Sequence, residues 1–320
     1  MTHPYSALTP EAVLDAAASL GLRPDGRLLS LNSYENRVYQ VWLDDADPVV
    51  LKFYRPGRWT REQIEEEHAF AHELAGREVP VVAPSHFAEY AGFLFSAYPR
   101  RGGRSPNLED PKVLEWIGRF IGRIHAVGAA QPFRHRPRLD PQTFGTEPRE
   151  WLLANASIPA DVFEAWKAVS EQALAAVQEH FRVVQGLKEI RLHGDCHPGN
   201  ILWTEEGPHF VDLDDARMGP AVQDLWMLLS GERALQGRQL ADVLAGYELF
   251  MPFDRREVRL VEPLRTLRLL HYSAWIARRW DDPAFPAAFP WFGTQRYWQD
   301  RILELREQVA LMAEEPITPS

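Results

Sequence analysis

The spacing of apolar residues changes near residue 100, and that change limits what the chain can fold into. Before it lie short β-rich runs: RVYQVWL (37–43) and PVVLKFYR (48–55), separated by DDAD, and FAEYAGFLFSAYP (87–99) around a turn at Ala91-Gly92. After it, helical spacing dominates, in VLEWIGRFIGRIHAV, PADVFEAWKAVSEQALAAVQEHF, VQDLWMLLSG, QLADVLAGYELF and RLVEPLRTLRLLHYSAWIARRW. Two helices are predicted in the first part. One covers residues 10–20, with Thr9 as N-cap, Pro10 in its first turn and Gly21 as its stop. The other runs from Thr60 to Leu74 and aligns Ile64, Ala71 and Leu74, with Phe70 nearby, while its glutamates fill the remaining faces. The polar break RRGGRSPN (100–107) marks the boundary. The fold class is therefore α+β, with a small β-rich N-lobe at 1–101 that has one main helix and a larger, mainly helical C-lobe at 102–320. That division suits a chain of 320 residues. The proline-rich stretch DDPAFPAAFPWF (281–292) reads as an ordered aromatic loop.

Acidic residues outnumber basic ones by 45 to 35, which argues against a surface built for nucleic acid. Local positive potential remains open to Arg55, Arg58, Arg61, Arg100, Arg101 and Arg104. The single cysteine, Cys196, cannot close an internal disulfide, and its default role is a buried, inert thiol. The N-terminus lacks the pattern of a secretory signal, and no apolar run reaches the ~20 residues that span a bilayer. These features set the expectation of a cytoplasmic monomer with no membrane or nucleic-acid partner.

Two short apolar segments interrupt the helical pattern, IRLHGD and HFVDLDD, and each ends in a cluster of polar groups. The first opens His193-Gly194-Asp195-Cys196-His197-Pro198-Gly199-Asn200; the second ends in Asp212-Leu213-Asp214-Asp215. Phosphoryl transfer from a nucleotide needs a carboxylate that orients and deprotonates the incoming hydroxyl, and oxygen ligands that fix magnesium on the phosphates. Asp195 is the candidate base, and Asn200 and Asp212 are the candidate metal ligands, with Asp214 a nearby alternative to Asp212. The asparagine supplies a hard oxygen without a further negative charge. The interval from Asp195 to Asn200 matches the kinase catalytic loop H-R-D-x-x-x-x-N, with His-Gly-Asp for His-Arg-Asp, and so resembles protein kinases and aminoglycoside phosphotransferases. His193 reads as a support of the loop. A zinc site built on His193, Cys196 and His197 lacks the remaining Cys or His ligands.

At the nucleotide end, Lys52 sits within a β-rich run, where it resembles the third-strand lysine of kinases that contacts nucleotide phosphates. Its expected partner is a glutamate of QIEEEHAF: Glu67 first, for its place near the apolar face, and Glu66 second. The segment LNSYENRVYQV lies where a phosphate-covering loop belongs but lacks G-x-G-x-x-G, and Ser33 is its best candidate contact. Neither D-F-G nor A-P-E occurs, so control by a phosphorylated activation loop is not expected. Trp275, Trp280, Trp291, Phe292 and Trp298 either line an acceptor cleft or build the helical core, with core packing the reading for most of them.

The motifs LNSYENRVYQ, KFYRPGRW, LHGDCHPGNILW, VDLDDARMGPAVQDLWMLL and WIARRWDDPAFP together resemble the bacterial stress response kinase A family over most of the chain. The resemblance implies a bilobal, protein-kinase-like fold, a cytoplasmic location, and ATP-dependent phosphorylation of protein serine or threonine in a bacterial stress response. It also implies the proton acceptor at Asp195, magnesium at Asn200 and Asp212, and an ATP contact at Ser33. Residues alone leave two alternatives open: a kinase of the same fold acting on a small hydroxylated molecule, and a non-catalytic nucleotide-binding module.

Overall fold

The computed structural model describes residues 4–319 and divides into two compact units. The first takes the chain up to residue 106 together with 134–136 and 198–215; the second takes 107–133, 137–197 and the chain from 216 on.

The first unit opens with α1 (Pro10–Ser19), whose cap is Thr9, its hydroxyl accepting from Ala12 N at 3.2 Å. Strands β1 (Pro24–Leu31), β2 (Arg37–Leu43) and β3 (Val49–Phe53) follow, then α2 (Arg61–Gly76), β4 (His86–Tyr90) and β5 (Phe93–Pro99). All neighbouring pairs are antiparallel, in the order β1-β2-β3-β5-β4. Thr60 and Gln63 close a reciprocal capping box that starts α2. Ala91 and Gly92 both have positive φ, 48° and 81°, as a two-residue hairpin that follows strand twist requires. β1 was not predicted: PDGRLLSL shows no alternation, and the strand lies at the sheet edge with its register shifted between Pro24 and Leu28. β3 is the central strand. Leu51 and Phe53 are buried in an aromatic core with Val13, Ala17, Val41 and Phe95, so alternation turns Lys52 to the other face.

The second unit is mainly helical: α3 (Pro111–Gly128), α4 (Glu147–Asn155) and α5 (Ala160–Val183) precede strand β6 (Ile190–Leu192). The chain then contributes β7 (Ile201–Thr204) and β8 (Gly207–Phe210) to the first unit. It resumes in the second with β9 (Arg217–Gly219), antiparallel to β6, and with α6 (Gln223–Trp226), α7 (Arg233–Tyr247), α8 (Val261–Ala277), α9 (Ala284–Ala288) and α10 (Gln295–Met312). α3 and α7 cross at backbone contact. A Cβ on Gly118 or Gly122 would collide with the carbonyl of Val243 or Tyr247, and one on Gly246 with that of Glu115.

Three differences from the sequence reading stand out. VQDLWMLLSG forms only the four-residue α6 and then short i→i−3 turns, Leu228 N to Leu225 O and Leu229 N to Trp226 O. From Val222 to Leu229 all but Met227 are buried, and a buried apolar run carries no period to tell a helix from turns. α4 and α10 were not predicted, although Thr294 caps α10 and Trp298, Ile302 and Leu305 hold one helical face. The aromatic loop contains α9, and Phe285, Phe289 and Phe292 join the core around Trp166 and Trp298. Among the described residues no helix is long and apolar enough to cross a membrane.

Candidate active site

In the first unit the hairpin β7–β8 pairs Ile201 with Phe210, and Val211 N continues it by donating to Asn200 O at 3.0 Å. Asn200 and Asp212 therefore leave the hairpin at the same open end. Asp212 has φ +60°, a left-handed conformation that costs a non-glycine residue energy and is found where structure over-determines it. Lys52 Nζ lies 2.9 Å from Asp212 Oδ1 and 3.1 Å from Asp214 Oδ1. Burial alone would discharge this lysine; the two carboxylates reverse that and hold its pKa well above the usual value.

The two aspartates differ in setting. Asp214 is 4% exposed and Asp212 52% exposed. Burial would raise the Asp214 pKa, but Lys52 and Arg58 outweigh it and bring it down to about 2. Arg58 reaches Asp214 Oδ2 at 2.8 Å and Asp215 Oδ1 at 2.9 Å, Asn36 Nδ2 donates to Asp214 Oδ2 at 3.3 Å, and Arg136 Nη2 donates to the Asp214 carbonyl.

The carboxylates on Lys52 are thus those of Asp212 and Asp214, not that of Glu67. Glu67 is buried on α2, its Oε2 has no hydrogen-bond partner among the described residues, and burial pushes its pKa up to about 7 against the pull of Lys52. Glu66, the second choice, accepts from the backbone of Arg134, His135 and Arg136 and so ties that three-residue segment to α2. Ser33 is half-buried in the turn between β1 and β2, and its hydroxyl makes no hydrogen bond among the described residues. The same turn is anchored through Asn36, and through Glu35, whose Oε1 lies 2.8 Å from Arg55 Nε.

Asp195 belongs to the second unit, in a loop fixed from beneath. The fully buried carboxylate of Asp224 accepts from His193 N and Gly194 N, both at 2.8 Å, and from His125 Nε2 at 3.0 Å. Burial works against its charge, but the His125 bond and neighbouring positive potential keep its pKa below the usual range. His125, on α3, also lies 2.9 Å from the Tyr247 hydroxyl at the end of α7, so the close helix crossing sets the height of this support. Gln223 Nε2 donates to Gly194 O at 3.0 Å, and Gly194 has φ +86°, which glycine alone adopts cheaply. His193 is buried and its Nδ1 accepts from Asp195 N at 3.4 Å. The Asp195 carboxylate lies 2.7 Å from Arg268 Nη1 through Oδ1 and 3.5 Å from His197 Nε2 through Oδ2. Burial pushes the Cys196 thiol well above its usual pKa, with Asp224 and Asp195 adding to the effect. A buried thiol so hard to ionise is a poor nucleophile. Among the described residues no three His, Cys, Asp or Glu side chains converge as a metal site.

The sequence pattern of the phosphotransferase enzyme family matches residues 27–261. Stress response kinase A of Escherichia coli K12 is 45% identical over 318 residues, which cover 98% of this chain and 96% of that protein. The chain belongs to the stress response kinase A family of phosphotransferases. A second member, serine/threonine protein kinase RdoA of Salmonella typhimurium LT2, is 44% identical over the same shares of both chains. Two solved phosphotransferases share the fold. Amicoumacin kinase hAmiN, in complex with AMP-PNP, Ca2+ and Ami, matches with TM-score 0.70 at 17% identity, covering 98% of this chain and 96% of its own. A choline/ethanolamine kinase family protein from Mesorhizobium loti matches with TM-score 0.61 at 19% identity, covering 93% and 98%. The α+β, bilobal kinase-like class stands on these matches and on the five-stranded antiparallel sheet.

The supports around the family's motifs were missed by sequence reasoning. Asp224 had a signal, a lone aspartate inside the apolar run AVQDLWMLL, which a buried position tolerates only when paired. Arg136, His125 and Arg268 had none, because Asp214, Asp224 and Asp195, which they meet, lie 73 to 99 residues away along the chain; Arg58 stood out only as a source of local positive potential, and its partners Asp214 and Asp215 lie 156 and 157 residues on.

Proposed function

We propose that this member of the family is an ATP- and magnesium-dependent kinase that phosphorylates serine and threonine hydroxyls of proteins in a bacterial stress response, acting as a cytoplasmic monomer. The observation that carries the reading is the buried, charged Lys52 held 2.9 Å from Asp212, at the hairpin end where Asn200 also leaves. A carboxamide and a half-exposed carboxylate suit magnesium, which takes oxygen ligands and keeps room for water and phosphate oxygens. Asn200 and Asp212 would hold the ion, whose charge would offset that of the phosphates. Asp214 is the poorer ligand, since it is buried and already committed to Lys52, Arg58 and Asn36.

Lys52 donates to ATP phosphate oxygens, with Asp214 anchoring its ammonium and Glu67 as a second buried acid behind it. Ser33, whose hydroxyl makes no hydrogen bond among the described residues, contacts the phosphates from the β1–β2 turn. Asp195 accepts a hydrogen bond from the acceptor hydroxyl and takes its proton as the oxygen attacks the γ-phosphorus and the bond to the ADP oxygen breaks. The loop that carries Asp195 has its peptide groups committed to Asp224 and Gln223, so the carboxylate is positioned before the acceptor arrives. The names of the 44–45% identical relatives support a protein acceptor and the stress role. Labelled ATP offered with magnesium to a dephosphorylated protein mixture and to a panel of small hydroxylated compounds tests the acceptor class. Phosphoserine and phosphothreonine in protein are the expected products; label confined to the small compounds overturns the reading.

A further inference from the structure

Arg268 on α8 puts a full positive charge on the carboxylate of Asp195, 2.7 Å away, although it is 46% exposed and holds no other ion pair among the described residues. Its remaining contact is Nη1 to Met227 Sδ at 3.9 Å, so Nε and Nη2 make no hydrogen bond among the described residues. A guanidinium has five N–H donors in a fixed fork, and most of those here meet no acceptor among the described residues. One turn earlier Arg265 uses both terminal nitrogens, with Glu262 and Gln236 each at 2.9 Å. His197 adds a second basic group to the same carboxylate, at 3.5 Å. Asp195 therefore does not present a bare negative charge to an acceptor. It presents a neutralised carboxylate edged by unused cationic donors.

We propose that Arg268 is a specificity-determining residue, selecting hydroxyl acceptors flanked by carboxylates, as in acidic peptide segments, over cationic acceptors. The proposal rests on the reading of Asp195 as proton acceptor and adds the chemical class of its substrate. A lone aspartate in this place would draw an ammonium-bearing acceptor by simple attraction. With Arg268 paired to it, a cationic acceptor meets like charge, whereas an acidic one finds charge-assisted donors beside the atom that accepts its proton.

The test uses three synthetic peptides identical except for the residues flanking one serine, which are Glu, Ala or Lys, with full-length wild type, Arg268→Ala, Arg268→Lys and Asp195→Asn. Wild type should prefer the Glu-flanked peptide. Arg268→Ala should lower kcat/KM for that peptide by about 10- to 100-fold, mainly through KM, and raise it for the Lys-flanked one. Arg268→Lys should restore part of the preference, which a merely structural defect would not allow. An unchanged Glu-to-Lys ratio in Arg268→Ala, or wild-type preference for the Lys-flanked peptide, overturns the proposal. Asp195→Asn separates the two claims: near-normal transfer by it refutes the underlying base assignment, whereas its inactivity beside an unchanged Arg268→Ala ratio refutes the selection alone.

Discussion

Asp224 is a single carboxylate on which three N–H donors converge, and its removal would leave His193, Gly194 and His125 without their buried acceptor. Asp224→Ala is expected to cost about 3–5 kcal/mol in urea unfolding, the range for breaking a buried charged network. Asp224→Asn, which keeps an acceptor oxygen, should cost less. Glu257 makes a pH prediction in the same unit. Its Oε2 accepts from Val222 N at 2.8 Å, and burial pushes its pKa up to about 7. In the unfolded chain it ionises near the ordinary glutamate value, so between that value and about 7 the folded state binds the extra proton. Stability from this group should therefore fall as pH rises through that window, by about 3 kcal/mol in total. Glu257→Gln keeps the acceptor and should flatten this part of the profile; an unchanged slope between pH 5 and 8 would refute the assignment. At this scale the sequence singled out Asp195, Asn200, Asp212 and Lys52 by type and spacing, and the structure brings Lys52 to within 2.9 Å of Asp212. It hid the partners of Asp224, Arg58 and Arg268, because a partner defined only by folding leaves no local pattern. Glu67 shows the intermediate case: its buried position was legible from helical phase, but not that Asp212 and Asp214 would claim the lysine first.

At the scale of elements, the α3–α7 crossing depends on missing side chains. Gly246→Ala would drive a methyl group into the Glu115 carbonyl and should cost about 1–3 kcal/mol, the usual range for overpacking. Because Tyr247 follows Gly246 and bonds His125, the same change should slow transfer more than it weakens ATP binding. Gly76→Ala is the control. It lies in the last turn of α2 with nothing near the new methyl group, so stability should stay level or rise by up to about 1 kcal/mol. Equal losses in both variants by thermal unfolding would contradict the account. Helices with caps and an exposed polar face, α1, α2 and α3, were legible to within a residue or two because capping and period are local. Three-residue β6 and β9 and edge strand β1 owe their form to pairing, and the α6 region is buried on all sides, so composition says little about any of them.

Across the whole molecule, the residues proposed for the chemistry fall in two compact units, in an order that sequence alone did not suggest. Asp195 lies in the second; Asn200, only five residues on, lies in the first with Asp212 and Lys52. Substitutions in the two groups should therefore fail differently, those in the first on nucleotide and metal, those in the second on the acceptor. The most direct test is ATP binding by calorimetry, with and without magnesium, beside single-turnover transfer by wild type, Asp212→Ala and Asp195→Ala. The account predicts that Asp212→Ala loses the magnesium-dependent part of ATP affinity, while Asp195→Ala binds ATP and magnesium much as wild type does and transfers phosphate about 10²- to 10⁴-fold more slowly. Near-normal transfer by Asp195→Ala, or an unaltered magnesium effect in Asp212→Ala, would contradict it.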